Sequence, residues 1–168
     1  MAEKLTEAEK RKHLYDLIKG FDSAMLVTRT AEGDLRARPL AIADAQEDGL
    51  RYFPTGVDSG KVHEVESDPH VSVTLQDKRR FVSVSGIARI VRDRALIEEM
   101  WSEAWKVWFP AGKADPSLCL LVVDATAAEY WDNSGAKGLG YLFEAAAAYV
   151  TGTRPKDDND AHAAKVRL

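Results

Sequence analysis

The chain has 168 residues, 30% of them charged, and a formal net charge of −4. One domain of this length buries a sizeable core without disulfide staples, and the acidic balance argues against a nucleic acid as partner. The single cysteine, Cys119, lies in an apolar run, which predicts a buried, inert thiol in a reducing cytoplasm. Since no apolar run approaches roughly eighteen residues, we expect a soluble, cytoplasmic protein without a membrane partner.

In chain order, the first half of the sequence predicts a helix followed by an antiparallel meander. Thr6 and Glu9 have the spacing of a capping box, and apolar residues then recur at helical intervals up to Gly20. Short strands are expected at residues 24–28, 35–43 and 50–53. The polar turns between them, at 32–34 and 44–49, are too short for the crossovers that parallel strands need. We therefore expect the three strands to pair antiparallel.

The second half predicts further strands interrupted by helices. Period-two alternation predicts strands at 71–75 and 81–85 with a hairpin between them, and Gly86 is expected to form a bulge. Asp93 can cap a helix that runs through Met100. The remaining expected elements are a helix at 62–66, strands at 118–123 and 128–131, and a helix at 138–150.

Together these elements predict an α+β fold, a six- to seven-stranded antiparallel β-barrel with flanking helices. No internal repeat or linker divides the chain. The domain is expected to cover residues 1–152, and residues 153–168 are expected to form a polar, mobile C-terminal tail.

The segment 53–61 joins a predicted strand to a predicted helix and suits a phosphate. Gly56 and Gly60 allow a tight turn and a close approach of a ligand to the backbone. Ser59, Lys61 and the first-turn N–H groups of the helix offer donors to an anion. The spacing matches neither a P-loop nor a dinucleotide-binding glycine motif. A solvated surface turn explains the same residues equally well, so the local sequence leaves both interpretations open.

Arg36 and Arg38 alternate on the strand expected at 35–43 and therefore share one face. An arginine that faces a barrel interior is costly unless an anion pairs with it, so Arg38 is a candidate second ligand of the same phosphate. The alternative is that both arginines line the solvated face of an edge strand, where Pro39 is tolerated. We expect this alternative for Arg36 alone.

Four aromatic residues, Trp101, Trp105, Trp108 and Phe109, continue the third predicted helix at helical spacing. Such a stripe is typical of a core, but it also suits a dimer seam or one wall of a flat aromatic ligand site. Trp131 could play the same part from the last strand. The four histidines lack metal-ligand spacing, and no carboxylate pair stands out for acid–base work. We therefore predict no metal site and assign no catalytic residue.

Seven short motifs follow one another between residues 24 and 132. They lie at residues 25–28, 37–40, 53–61, 68–71, 82–86, 105–110 and 129–132. Taken together and in this order, they resemble the pyridoxamine 5'-phosphate oxidase-like family, the FMN-binding split barrels, and within it the general stress protein 26 group. The resemblance covers most of the chain.

The resemblance implies a split-barrel homodimer that holds two FMN molecules at its interface. It also implies eight cofactor-binding positions. Those for the flavin phosphate are Arg38, Ser59 and Lys61. Those for the ring and the ribityl chain are Pro39, Leu40, Thr55, Trp108 and Trp131, of which Trp131 would reach the flavin from the partner subunit.

The chain departs from the true oxidases of this family at four places. They carry Ser-Arg-Lys in the segment that corresponds to residues 53–61, which we call the cradle. In this chain Gly60 replaces the arginine and removes a phosphate donor. The lysine that ends their flavin-facing strand falls at Ala43, and the glutamine that follows their hairpin arginine falls at Phe81. Their segment that grips pyridoxal phosphate is replaced by residues 134–137. We therefore expect no pyridoxamine-phosphate oxidase activity.

The sequence thus predicts an FMN-binding general stress protein, with a flavin-dependent oxidoreductase or flavin reductase as the favoured activity. Bound FMN itself carries hydride and electrons, which explains why no acid–base pair stands out. The alternative is a non-catalytic protein that stores, senses or buffers flavin. FAD in place of FMN stays open, and a haem-binding split barrel is disfavoured because no histidine lies in a matching motif.

Overall fold

The computed structural model describes residues 4–45, 51–154 and 162–168. The α-helices in these ranges are α1 (Glu7–Ile18), α2 (Gly60–Ser67), α3 (Arg94–Met100) and α4 (Gly135–Thr151). The strands are β1 (Ser23–Arg29), β2 (Leu35–Ala41), β3 (Asp44–Ala45), β4 (Arg51–Gly56), β5 (His70–Gln76), β6 (Arg80–Val91), β7 (Leu118–Asp132) and β8 (Ala163–Arg167). Two short 3-10 helices span Glu103–Val107 and Gly112–Ala114.

The strands form one antiparallel sheet in the order β2-β1-β5-β6-β7-β4-β3, with β8 also paired to β7. β2 and β3 stand at opposite ends of this order although they are almost contiguous in the chain. The sheet therefore curls back on itself. This curled sheet with its helices confirms the predicted α+β split barrel. The strand count exceeds the predicted one because the short strands β3 and β8 add to it.

The predicted meander is changed at its middle strand. β1 and β2 pair antiparallel as expected, with Met25 opposite Pro39. The strand expected at 35–43 ends at Ala41, and the chain then pairs again as β3 with β4. The long partner of β4 is β7 and not β2. β2 is therefore an edge strand beside β4. The end of the turn predicted at 44–49 lies outside the described residues.

The strands β6 and β7 form the spine of the sheet. Their register shifts between Ser85 and Gly86, which confirms the predicted bulge. The strands expected separately at 118–123 and 128–131 are one strand, β7, of 15 residues. The small and polar residues between them resembled a loop, but pairing with β6 continues past the bulge. Cross-strand pairing therefore overrides the local sequence signal.

Residues of β7 alternate between two apolar clusters. Leu121 and Val123 belong to the cluster inside the curled sheet, together with Phe53. Leu120 and Val122 belong to a second cluster on the outer side, beneath α3 and the first 3-10 helix. Because β7 is covered on both faces here, its first six residues are all buried, which is why they form a continuous apolar run.

The prediction that the aromatic residues 101–109 continue one helical face is wrong. Helix α3 ends at Met100, because Trp101 leaves the helical conformation with ψ 134°. Trp105 lies in the separate 3-10 helix and is only 4% exposed, whereas Trp108 is 62% exposed. Trp105 is thus a core residue, and Trp108 is a surface residue on the segment that follows.

The end of the chain joins the sheet. Helix α4 closes at Gly152, which adopts φ 67° as helix-terminating glycines do. Residues 163–167 then form β8 against β7, so the expectation of a mobile tail does not hold for them. Residues 155–161 of that tail lie outside the described residues. Within the described ranges, no helix has the length and apolar character needed to cross a membrane.

Candidate functional site

A cleft of about 490 Å³ opens between the edge strand β2, the end of β4 and the segment around Trp108. Its lining residues are Ser23, Pro39, Leu40, Ala41, Pro54, Thr55, Gly56, Lys61, Trp108 and Phe109. Most of these side chains are apolar, and among the described residues of the lining only Lys61 is charged. Clefts of this size and character are typical of small-molecule sites.

One end of the cleft is a cluster of polar donors where β4 passes into α2. Thr55 is 3% exposed, and its Oγ1 accepts a hydrogen bond of 3.0 Å from Lys61 Nζ. The hydroxyl of Ser59 lies 3.3 Å from the same Thr55 oxygen. The short turn between strand and helix brings these three side chains together. The strand–turn–helix arrangement predicted for residues 53–61 is therefore confirmed.

Helix α2 presents its N-terminus to this cluster. Ser59 is the N-cap residue by its backbone conformation, but its side chain makes no capping hydrogen bond. The N–H of Val62 donates to the Ser59 carbonyl at 2.9 Å, so the N–H groups of Gly60 and Lys61 are the first-turn donors that can bind an anion. A phosphate fits a donor set of two hydroxyls, one amine and a helix N-terminus.

Glu64 connects α2 to the arginines of β2. Its carboxylate accepts hydrogen bonds from Thr28 Oγ1 at 2.5 Å and from Arg36 Nη1 at 3.1 Å. Arg38 Nη2 lies 2.8 Å from Glu64 Oε2. Arg38 and Leu40 share the inward face of β2, and Leu40 is buried. The anion that an inward-facing Arg38 requires is thus supplied within the chain by Glu64.

The charges around the cradle do not balance. Arg36, Arg38 and Lys61 carry three positive charges, and Glu64 and the exposed Asp58 of the turn carry two negative charges. Burial lowers the pKa of Lys61, and the nearby Arg38 lowers it further. An anion bound beside Lys61 would relieve this repulsion.

The Glu64 carboxyl stays ionised despite its surroundings. Burial opposes its ionisation, but the hydrogen bonds from Thr28 and Arg38 outweigh that effect, so its pKa lies below the ordinary value. The excess of positive charge around the cradle therefore persists at neutral pH.

The structure gathers most of the predicted cofactor-binding residues. Five of them line the cleft: Pro39, Leu40, Thr55, Lys61 and Trp108. Ser59 contacts Thr55 beside the cleft. Arg38 lies in the adjoining ion cluster with its contacts directed to Thr28 and Glu64.

Trp131 is not part of the cleft within one chain. Thr55 pairs with Cys119 near the start of β7, whereas Trp131 lies near the other end of that strand. There it is paired with Phe81 on β6 and with Ala163 on β8.

The sequence analysis missed Glu64 and did not place Ser23, Ala41 or Pro54 at a site. The signal for Glu64 was its position one helical turn after Lys61, which puts both on the same side of α2. Its partners are 26 to 36 residues away in the chain at Thr28, Arg36 and Arg38, so spacing alone could not find them. 

Cys119 is fully buried, as predicted, and its thiol contacts the carbonyl oxygen of Thr55 at 3.4 Å. Burial raises the pKa of this thiol, which keeps it protonated and unreactive. Among the described residues, no group of three or more His, Cys, Asp or Glu side chains is placed to hold a metal ion.

The family assignment follows from a comparison with known protein families. The family described as pyridoxamine 5'-phosphate oxidase like matches residues 9–156. The chain belongs to this family. The match covers the whole sheet except β8 and includes every residue of the cleft. The predicted family resemblance is therefore confirmed.

Individual relatives point to one group in this family. General stress protein 26 of Bacillus subtilis is 36% identical over 83 residues, which cover 46% of this chain and 59% of that protein. The match thus spans little more than half of that relative. A candidate general stress protein 26 from Jannaschia sp. CCS1 shares the fold with a TM-score of 0.73 at 24% identity, over 96% of this chain and 99% of that one.

A further solved structure is that of a protein named as flavin-binding. The general stress FMN/FAD binding protein of Xanthomonas citri is 27% identical and superposes with a TM-score of 0.65. The superposition covers 78% of this chain and 93% of that protein. This chain is therefore similar to general stress proteins and to a flavin-binding protein of the same fold.

Proposed function

We propose that this chain is an FMN-binding protein of the general stress type and that the cleft holds the flavin. One observation carries the proposal: an apolar slot ends in a polar cluster with a net positive charge. FMN has the matching form, a flat apolar ring with a phosphate dianion at the end of a flexible chain. The kinship with the FMN/FAD binding protein of Xanthomonas citri supports the same ligand.

The donor set fits a phosphate, and each predicted residue has a role in holding the flavin. Ser59, Lys61 and the N-terminus of α2 hold the phosphate, and Arg38 adds positive charge behind them. Thr55 orients Lys61 through the 3.0 Å hydrogen bond and lies towards the ribityl chain. Pro39, Leu40 and Trp108 form the apolar walls for the ring.

The proposed assembly is a homodimer in which Trp131 reaches the flavin of the partner subunit. Trp131 and Phe81 are cross-strand neighbours, and each is 37% exposed. Two large aromatic side chains on one exposed sheet face favour a contact with a second copy. Sedimentation of the flavin-loaded protein tests this assembly. A monomer that still binds FMN would contradict it.

The proposed activity is that of a flavin-dependent oxidoreductase or flavin reductase of the cytoplasm. Bound FMN accepts and passes on hydride or electrons, so the protein needs to bind the flavin, orient it and exclude water. We propose no pyridoxamine-phosphate oxidase activity, because the one charged side chain that the described lining offers, Lys61, would serve the flavin phosphate. No oxygen consumption is expected with pyridoxamine 5'-phosphate.

The second candidate function is flavin storage or sensing without turnover. It is favoured by the part of the lining that the structure describes, which contains neither a carboxylate nor a histidine. Rapid bleaching of the bound flavin by NADH or NADPH would support the oxidoreductase. Tight binding with no bleaching by either nicotinamide would support storage.

Titration of the apoprotein is the decisive test of flavin binding. FMN, FAD, riboflavin and pyridoxal 5'-phosphate are added separately, and binding is followed by flavin fluorescence or by ligand absorbance. We expect FMN to bind more tightly than riboflavin, because riboflavin lacks the phosphate. Equal affinity for FMN and riboflavin would contradict the assignment of the cradle as the phosphate site. If no flavin binds, the proposed function is overturned.

Replacing Gly60 by arginine is expected to tighten FMN binding about tenfold, because a hydrogen bond to a charged group contributes about 1.5–3 kcal/mol. A Cβ at Gly60 would meet no atom within 4 Å, so the side chain has room beside the cradle. Riboflavin affinity should not change. Gly60→Gln is the matched control, since it has a similar length without the charge. An equal gain for Gly60→Gln would show that the arginine does not reach the phosphate.

The affinity for FMN is expected to be constant near neutral pH and to fall at alkaline pH. The pKa of Lys61 is lowered in the free protein by burial and by Arg38, and a bound phosphate raises it again. The loss therefore begins as the pH passes the lowered pKa of the free protein and ends at the higher pKa of the complex.

Titrations with riboflavin provide the reference for this pH profile, since riboflavin has the same ring but no phosphate. The Lys61→Arg variant should stay flat over the same range, because arginine keeps its proton. A profile shared by the wild type and Lys61→Arg would exclude Lys61 as its origin.

A further inference from the structure

Glu64 is fully engaged although it lies beside an anion site. The residue is 9% exposed, and both of its carboxylate oxygens accept hydrogen bonds. Oε2 accepts a hydrogen bond from the Thr28 hydroxyl and contacts Arg38, and Oε1 accepts a hydrogen bond from Arg36. A negative charge so close to the proposed phosphate site repels the ligand. The presence of Glu64 there therefore calls for a role that offsets this repulsion.

The side chains of Thr28, Arg38 and Glu64 form a closed ring of contacts. Thr28 is fully buried and donates its only hydroxyl proton to Glu64, so its oxygen is an acceptor for Arg38 Nη1 at 2.6 Å. Arg38 Nη2 completes the ring at Glu64. The guanidinium is thus held along one edge by two acceptors.

The other edge of the Arg38 guanidinium remains available. Arginine has five N–H donors, and the contacts among the described residues use two of them. The side chain of Arg38 is 18% exposed, and its charge acts on Lys61 in the cradle. A phosphate bound at Lys61 therefore lies within the field of Arg38.

We infer that Glu64 is a positioning residue: with Thr28, it fixes the Arg38 guanidinium so that its free edge serves the flavin phosphate. The inference rests on the proposed function of the cleft. Glu64 then determines how strongly the site prefers a phosphorylated flavin to riboflavin. Two acceptors orient a planar guanidinium better than one, and a preoriented donor loses less freedom when the ligand binds.

The test compares the affinities of the full-length apoprotein for FMN and for riboflavin in the wild type and in Glu64→Gln. Flavin fluorescence gives both dissociation constants. We expect Glu64→Gln to weaken FMN binding roughly tenfold, the value of one hydrogen bond to a charged group, and to leave riboflavin binding within about twofold. An equal loss for both ligands would mean that Glu64 supports only the fold. Unchanged FMN binding would mean that Glu64 does not position Arg38 for the phosphate. Tighter FMN binding would mean that Glu64 competes with the phosphate for Arg38. Any of these results overturns the inference.

A double-mutant cycle shows whether Glu64 acts through Arg38. In an Arg38→Met background, Glu64→Gln should no longer change the ratio of the two affinities. Additive losses in the double variant would contradict the inference. Thr28→Val removes the other acceptor and should weaken FMN selectively as well, which keeps the test decisive if Glu64→Gln folds poorly.

The matched control is Glu66→Gln on the same helix. Glu66 pairs with Arg92 at 2.9 Å, and both side chains are about half exposed, so neither flavin affinity should change. The two proposals fail in different ways. If the wild type binds neither flavin, the proposed function is overturned and this inference with it. If the wild type prefers FMN and Glu64→Gln keeps that preference, this inference alone is overturned.

Discussion

Replacing Lys61 by methionine is expected to weaken FMN binding by about 2–3 kcal/mol, or roughly 30- to 150-fold, which is the range for losing a hydrogen bond and a charge partner of a phosphate. Of the cleft-lining residues within the described ranges, only Lys61 is charged. Its position is set by the 3.0 Å hydrogen bond to the buried Thr55. Methionine keeps the length and the apolar stem but not the ammonium group.

The same substitution should not reduce the stability of the free protein. In the folded chain, burial and Arg38 lower the pKa of Lys61. A lysine whose pKa is lowered on folding destabilises the folded state while it is charged, and this cost disappears as the pH rises through that pKa. Removing the charge therefore removes a cost, and urea unfolding of the apoprotein should show an equal or higher midpoint.

Lys78→Met is the matched control for this experiment, because Lys78 is an exposed lysine on the hairpin between β5 and β6. It should change neither FMN affinity nor stability. If Lys61→Met bound FMN as tightly as the wild type, the phosphate would not lie at α2. If it lost riboflavin affinity as strongly as FMN affinity, the effect would be on the shape of the cleft.

Replacing Gly86 by alanine is expected to destabilise the fold by about 2–3 kcal/mol, the upper part of the range for forcing an extra methyl group into a packed site. A Cβ at Gly86 would lie well under 3.0 Å from the carbonyl oxygen of Asp124 and 3.1 Å from Cα of Ala125. Both obstacles are backbone atoms of β7. They can move only if the bulge between β6 and β7 moves with them.

The matched control is Gly140→Ala in α4, where a Cβ would meet no atom within 4 Å. This change should stabilise the protein by up to about 1 kcal/mol, since alanine is the better helix former. Urea unfolding of both variants therefore gives shifts of opposite sign. A midpoint for Gly86→Ala equal to that of the wild type would show that the bulge yields without cost.

Much of the fold is encoded in short sequence patterns. The capping box at Thr6 and Glu9, the alternation in β5 and β6 and the bulge at Gly86 are found where the sequence predicted them. Each depends on residues close in the chain, so local conformational preference decides them. The backbone arrangement of residues 53–61 was predictable for the same reason, because a strand, a turn and a helix start follow one another directly, whereas its role as a phosphate cradle stays a prediction.

Predictions failed where the outcome depends on distant partners. β7 stays extended between its two expected halves because β6 pairs along its whole length. Trp105 and Trp108 have helical spacing, but the chain between α3 and the 3-10 helix breaks the helix and turns only Trp105 into the core. Residues 163–167 are a strand because β7 offers them a free edge.

The sequence by itself determined the family and the strand–turn–helix course of residues 53–61, since both are carried by contiguous motifs. Tertiary structure alone decided that β2 faces β4 across the cleft and that Glu64 meets Arg38 and Thr28. The physical reason is that a strand can pair with any edge that the curled sheet presents, and a buried carboxylate is stable only where packing brings cations and a hydroxyl to it.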